Sequence, residues 1–171
     1  MNAARLSAIC ATVAGCALLV GPAIVQPAPR LLFNTTASAP IGFYRLDRQS
    51  SKIGDWVVVR PPPVLANWMA RRGYLPVNVP LLKRLAAVDG QRVCGHGGQV
   101  FVDGKPVAMA RRRDRRGRAL IAFDGCQRLA AGQVFLLNAD APGSFDGRYF
   151  GPLPAATITA RATPLWVWRA S

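Results

Sequence analysis

Twenty consecutive uncharged residues, Leu6 to Val25, lie between Arg5 and Arg30. As a helix rising about 1.5 Å per residue, the run spans roughly 30 Å, the thickness of a bilayer's hydrocarbon core. A secretory leader usually has a shorter apolar stretch and a small-x-small cleavage site. The nearest such site is Ala37-Ser38-Ala39, and Pro40 after it would block cleavage. The run therefore reads as one uncleaved anchor at 6–25. A short cytoplasmic amino terminus precedes it at 1–5, and a stiff tether with two prolines follows at 26–34. A rival reading is a lipoprotein box at Val13-Ala14-Gly15-Cys16, against which stand the apolar residues that continue to Val25. Residues 35–171 are then enough for one domain with a real core.

Composition narrows the chemistry. Hydrophobic residues make up 51%, which excludes a disordered chain, and the net charge is +14. The basic residues are mostly arginine, only Lys52, Lys83 and Lys105 being lysines, and no glutamate is present, which removes any mechanism built on one. The densest cluster is Arg111-Arg112-Arg113-Asp114-Arg115-Arg116-Gly117-Arg118. No aromatic residue interrupts it, so it lacks the stacking platforms of a single-strand nucleic-acid site. It reads as a solvated loop held open by its own repulsion, with an anionic membrane surface or an acidic partner as the functional alternative.

Short runs with strand character recur at 42–46, 56–60, 81–88, 91–95, 119–123, 133–138, 157–161 and 165–168. Runs at 99–102 and 105–108 flank Asp103-Gly104, a strong signal for a two-residue hairpin turn. So many short strands at close spacing predict a mainly β, antiparallel domain. One short helix is expected at 64–72, where Pro63 can start it, Val64, Leu65, Trp68 and Met69 form an apolar stripe, and Gly73 can end it. Cys94 and Cys126 are the only cysteines outside the anchor. They form a disulfide candidate in an oxidising compartment, with two unrelated buried thiols as the alternative. Two cysteines and the single His96 are too few for a closed zinc site, so neither a metal nor another cofactor is expected.

A serine hydroxyl needs a base before it becomes a nucleophile. His96 is set in Cys94-Gly95-His96-Gly97-Gly98, which reads as a turn. Lys83 is the better base. In a strand it shares a face with Leu81 and Leu85, and burial among leucines favours the neutral amine. Arginine could not serve, because it stays protonated. The alternative for Lys83 is an edge strand from which it reaches water.

Three blocks resemble the signal peptidase I family, and within it the conjugal-transfer (TraF-type) branch. Thr35-Thr36-Ala37-Ser38-Ala39-Pro40-Ile41-Gly42-Phe43-Tyr44 is similar to the nucleophile box, and 82–93, from Leu82-Lys83-Arg84-Leu85 to Arg92-Val93, to the lysine box. The segment 138–152, which contains Gly143-Ser144-Phe145-Asp146-Gly147-Arg148, is similar to the carboxyl-terminal box. Departures from the housekeeping leader peptidases favour the conjugal-transfer branch: Ala39 replaces a methionine, Asn138-Ala139-Asp140 replaces Gly-Asp-Asn, and Gly147 stands where a second serine is common.

The resemblance implies that Ser38 is the nucleophile and Lys83 the general base. It gives the oxyanion hole to the Ser38 N–H with the Thr36 hydroxyl as second donor, the orientation of Lys83 to Ser144, and a supporting ion pair to Asp146 and Arg148. It further implies a single-pass protein of the bacterial inner membrane with a periplasmic catalytic domain. Its substrate would be an exported precursor, in this branch a conjugative pilin that is matured and in some cases cyclised. Secretion or mating-pair components would be further partners, and no specific nucleic acid is expected. Two alternatives stay open: a general type I signal peptidase, and a membrane-anchored basic scaffold that binds nucleic acid or acidic partners through 111–118.

Overall fold

The computed structural model describes residues 2–25 and 28–168. It divides into two units, residues 1–30 and 31–171. In the first, α1 (Ala3–Val25) is a continuous helix. Its window Ala3–Val20 has a mean hydropathy of 1.9, and by length and composition it could cross a membrane. Gln26 and Pro27 of the expected tether lie outside the described residues.

The second unit is built on two antiparallel sheets. The larger contains β1 (Leu31–Asn34), β2 (Ile41–Asp47), β3 (Trp56–Val59), β4 (Leu81–Ala87), β9 (Gln133–Leu136), β10 (Leu153–Pro154) and β11 (Ile158–Trp168), in the order β1-β2-β11-β3-β4-β9-β10. The smaller contains β5 (Arg92–His96), β6 (Gln99–Val102), β7 (Lys105–Met109) and β8 (Gly125–Arg128), in the order β7-β6-β5-β8. Helix α2 (Pro63–Arg71) and the single turn α3 (Gly147–Phe150) complete it among the described residues. Asp103 and Gly104 both take positive φ, 48° and 78°, as a tight hairpin turn between β6 and β7 requires.

The period-two alternation of strands distributes the core. Every residue of β3 is buried. Val57 and Val59 point into one cluster with Leu81, Leu85, Leu136 and Met69 of α2. Trp56 and Val58 point into another with Tyr44, Leu46 and Leu82. A strand covered on both faces reads as a continuous apolar run, as Trp56-Val57-Val58-Val59 does. A third cluster joins Val93 and Val100 of the small sheet to Ala87, Phe135 and Leu137.

Four differences from the sequence expectations have identifiable physical causes. Residues 31–34, assigned above to the tether, form β1, because Leu31 to Asn34 pair antiparallel with Arg45 to Gly42. Residues 119–123 make no sheet strand: Leu120 N donates to Arg112 O and Phe123 N to Arg148 O, so their hydrogen bonds go to the arginine loop and to α3. β8 has little strand propensity in its Gly-Cys-Gln-Arg sequence, and it forms where Cys126 stands opposite Cys94. The two expected strands at 157–161 and 165–168 are one, β11, whose register shifts between Pro164 and Trp166 because proline cannot donate to the ladder. In α2, Leu65, Trp68 and Met69 pack on the core, whereas Val64 in the first turn stays exposed.

Candidate active site

Ser38 lies in the connection between β1 and β2, and buried Asn34 at the end of β1 shapes that connection. Asn34 Nδ2 donates to the carbonyls of Thr36, Ala39 and Pro40 at 2.9, 3.1 and 3.0 Å, while its Oδ1 accepts from Thr36 N and Thr36 Oγ1. Fully buried Tyr44 donates to Pro40 O at 2.7 Å, and burial pushes its pKa up to about 12. Gly42, at φ 137°, anchors the other end, since a Cβ there would collide with the backbone of Trp166 and Val167. Within this frame the hydroxyls of Ser38 and Thr36 are 3.2 Å apart. Thr36 has one hydroxyl proton and gives it to Asn34, so Ser38 is the donor in that pair.

Lys83 sits at the centre of β4, opposite Val57, with Leu81 and Leu85 on its own face. It is 3% exposed, so it is not the edge-strand lysine of the alternative reading. Its Nζ donates to Ser144 Oγ at 2.7 Å, and no direct hydrogen bond joins it to Ser38. Burial lowers its pKa from 10.5 to about 8, partly offset by the Asp146 carboxylate and reinforced by the Arg148 charge.

The segment after β9 ties these parts together. Asn138 Nδ2 donates to Ser38 O at 2.6 Å and to Leu82 O at 3.2 Å, and its Oδ1 accepts from Arg84 N at 2.9 Å. One buried side chain thus staples the serine loop to the lysine strand. Asp146 caps α3 and forms a buried bidentate ion pair with Arg148, both bonds being 2.8 Å. Arg148 also donates to the carbonyls of Asn138, Ala141 and Ser144, fixing the turn that presents the Ser144 hydroxyl. Phe145 stacks on Trp68 at 5.0 Å and on Tyr149 at 5.2 Å, which clamps the same turn from outside. At Gly147 a Cβ would stand 2.7 Å from Leu136 O and from the Phe135 ring, so no serine fits there without a backbone shift.

A cleft of about 420 Å³ is lined by Thr36, Ser38, Lys83 and Ser144 together, with Leu32, Phe33 and Leu81 among its apolar lining. Asp146 and Arg148 lie behind that surface, and Cys94 and Cys126, joined by a disulfide, belong to the small sheet. The site roles of Asn34 and Asn138 were not read from the sequence. Their signal, a lone asparagine closing an apolar strand, is weak.

The arginine cluster also lines this cleft, and it is not the splayed loop expected. Asp114 accepts from Tyr74 Oη, Arg118 Nε and the N–H groups of Arg116 and Arg118. Partial burial works the other way, but these bonds hold the Asp114 carboxyl well below the usual carboxylate range. Arg118 donates onward to Arg72 O at 2.9 Å and lies over the Tyr74 ring. The aromatic partner that the cluster lacks in sequence comes from the segment after α2.

Residues 3–168 match the family model described as signal peptidase, peptidase S26. The chain is 42% identical over 142 residues to a probable conjugal transfer protein TraF of Sinorhizobium fredii, covering 75% of this chain and 73% of that one. It is 29% identical over 174 residues to a plasmid transfer protein TraF of Escherichia coli, covering 96% and 97%. Among solved structures, a signal peptidase I of Enterococcus faecalis aligns with a TM-score of 0.41 at 17% identity, over 67% of this chain and 98% of that one. The chain belongs to the signal peptidase (peptidase S26) family, in its TraF-type branch.

Proposed function

We propose that this chain is a membrane-anchored serine endopeptidase in which Ser38 and Lys83 form the catalytic dyad. The observation that carries the reading is the burial of the Lys83 amine among leucines, which pulls its pKa down to about 8. Ser144 holds it at 2.7 Å, in the same cleft as a serine whose loop is fastened on both sides. On substrate binding the Ser38 hydroxyl turns from Thr36 to neutral Lys83 Nζ. Its oxygen attacks the scissile carbonyl while the proton passes to the amine. The Ser38 N–H, which has no partner among the described residues, faces the developing oxyanion. Thr36 becomes the second donor by exchanging its bond to Asn34 for one to that oxygen. Collapse expels the leaving amine with the proton returned by Lys83, leaving an acyl-enzyme. Water then releases a carboxylic acid, or a substrate amino terminus releases an amide.

The substrate of this reading is an exported precursor, specifically a conjugative pilin subunit, supported by the conjugal-transfer names of the relatives. An extended segment can add beside β1 or β4, with small side chains in shallow pockets. We place α1 in the bacterial inner membrane and the catalytic domain in the periplasm, where a Cys94–Cys126 disulfide is at home. The test is the intact mass of a co-expressed candidate pilin precursor, with the native chain and with Ser38→Ala. Leader loss with the native chain alone supports the proposal, and loss of one further water identifies cyclisation. An unchanged mass with both rejects that substrate, and leader loss with both rejects Ser38.

A further inference from the structure

The loop 111–118 forms one wall of the cleft, and its single carboxylate is already engaged. Asp114 serves Arg118, Tyr74 and two loop N–H groups. Arg111 and Arg115 have no such partner: among the described residues their guanidinium groups make no hydrogen bond or ion pair. Both converge on Gly143, where Arg115 Nη2 and Arg111 Nη1 lie 3.6 and 3.9 Å from the position a Cβ would occupy. Gly143 adjoins Ser144, which holds Lys83. Two like charges brought to one point on a cleft wall repel each other until an anion arrives, and a planar guanidinium fork matches a carboxylate. The carboxylate group is the anion that a peptide substrate carries.

We infer that Arg111 and Arg115 form a carboxylate subsite, which selects substrates with an acidic side chain or a chain-terminal carboxylate a few residues from the scissile bond. This rests on the peptidase reading. Both arginines are exposed, so the preference is moderate and salt-dependent. The cluster's role is then selection at the cleft rather than general attraction to anionic surfaces.

The test uses the full-length Ser38→Ala chain in detergent and fluorescein-labelled, alanine-rich dodecapeptides. One Asp is walked through the sequence, each peptide being paired with its Asn isostere. A further pair without Asp differs only in a free or amidated carboxyl terminus. At one or two positions the Asp form should bind about tenfold more tightly than the Asn form, about 1.4 kcal/mol. That ratio should fall towards one in high salt and in R111Q/R115Q, and Arg115→Asp should turn the preference towards a Lys peptide. A preference confined to the free terminus assigns the subsite to chain ends. A ratio of one, or one that persists in R111Q/R115Q, overturns the inference. So does loss in R111Q/R115Q of binding to phosphatidylglycerol vesicles when no peptide preference exists, which assigns the arginines to lipid. Binding is read without turnover, so the two readings fail separately. Carboxylate preference in a chain that cleaves no precursor sinks the peptidase, and cleavage without preference sinks the subsite.

Discussion

The two sheets are stabilised by different means. All the buried polar or charged residues described, Asn34, Lys83, Asn138, Ser144, Asp146 and Arg148, belong to the large sheet or to the segment from the end of β9 through α3. No buried side-chain polar atom among the described residues lacks a hydrogen-bond partner. The small sheet contributes none of these residues, its edge strand β8 is exposed throughout, and the Cys94–Cys126 disulfide ties that edge to β5. A buried polar network costs stability wherever one member loses its partner, so its concentration in one place marks where geometry has to be held. The small sheet can be stapled covalently because neither residue of the proposed dyad lies in it.

Substitutions in the two regions should therefore separate turnover from stability. The largest effect on turnover is expected from Lys83→Met, a fall of about a thousandfold or more in kcat/KM on a precursor peptide. Lys83→Arg should be as inactive, since a fixed charge cannot take the proton. Lys83→Met should nevertheless unfold later in denaturant. The folded pKa of Lys83, about 8, lies below its ordinary 10.5, so between these pH values the unfolded chain binds more protons than the native one. Stability therefore rises with pH across that window, and the cost of the buried charge is fully present below it. Removing the charge should stabilise the domain at pH 7 by about 1–2 kcal/mol, after allowance for the lost bond to Ser144. A destabilised methionine variant would mean that the ammonium is better solvated than its burial implies.

Next in size is Asn138→Ala. It removes the staple between Ser38 O and Leu82 O and should lower kcat/KM by about 10–100-fold through misplacement of the two side chains of the proposed dyad. Its cost in stability should be about 1–3 kcal/mol. The smallest effect on turnover belongs to the small sheet. Cys94→Ser with Cys126→Ser should lower unfolding stability by about 3–4 kcal/mol yet leave turnover of the folded enzyme within about twofold. Loss of turnover without loss of stability in that double variant would break the division between the sheets.

How far the sequence discloses this molecule depends on the range of each interaction. Alternation in Leu81-Leu82-Lys83-Arg84-Leu85 is local, so the shared face of Lys83 with two leucines is readable without coordinates. Motif resemblance likewise assembles Ser38, Lys83, Ser144, Asp146 and Arg148 into one neighbourhood. Asn138 is different: it reaches Ser38 across 100 residues, and an asparagine bonded to backbone carbonyls leaves no pattern in the chain. The arginine loop was misread for the same reason, because Asp114 is bonded by a tyrosine 40 residues away. β8 escaped because its pairing follows from Cys94 and not from its own residues. Asn34 falls in the expected tether with the rest of β1, although an asparagine closing Leu31-Leu32-Phe33 is a weak local signal.

The proposed mechanism requires burial to make Lys83 a neutral base for Ser38. The most direct measurement is single-turnover acylation of Ser38 by a precursor peptide, followed by intact mass from pH 6 to 10 with the native chain and Lys83→Arg. In the native chain the acylation rate should rise about tenfold per pH unit and level above about pH 8. The arginine variant should show no acylation at any pH. A rate independent of pH across this range, or acylation retained with arginine at position 83, would contradict the mechanism.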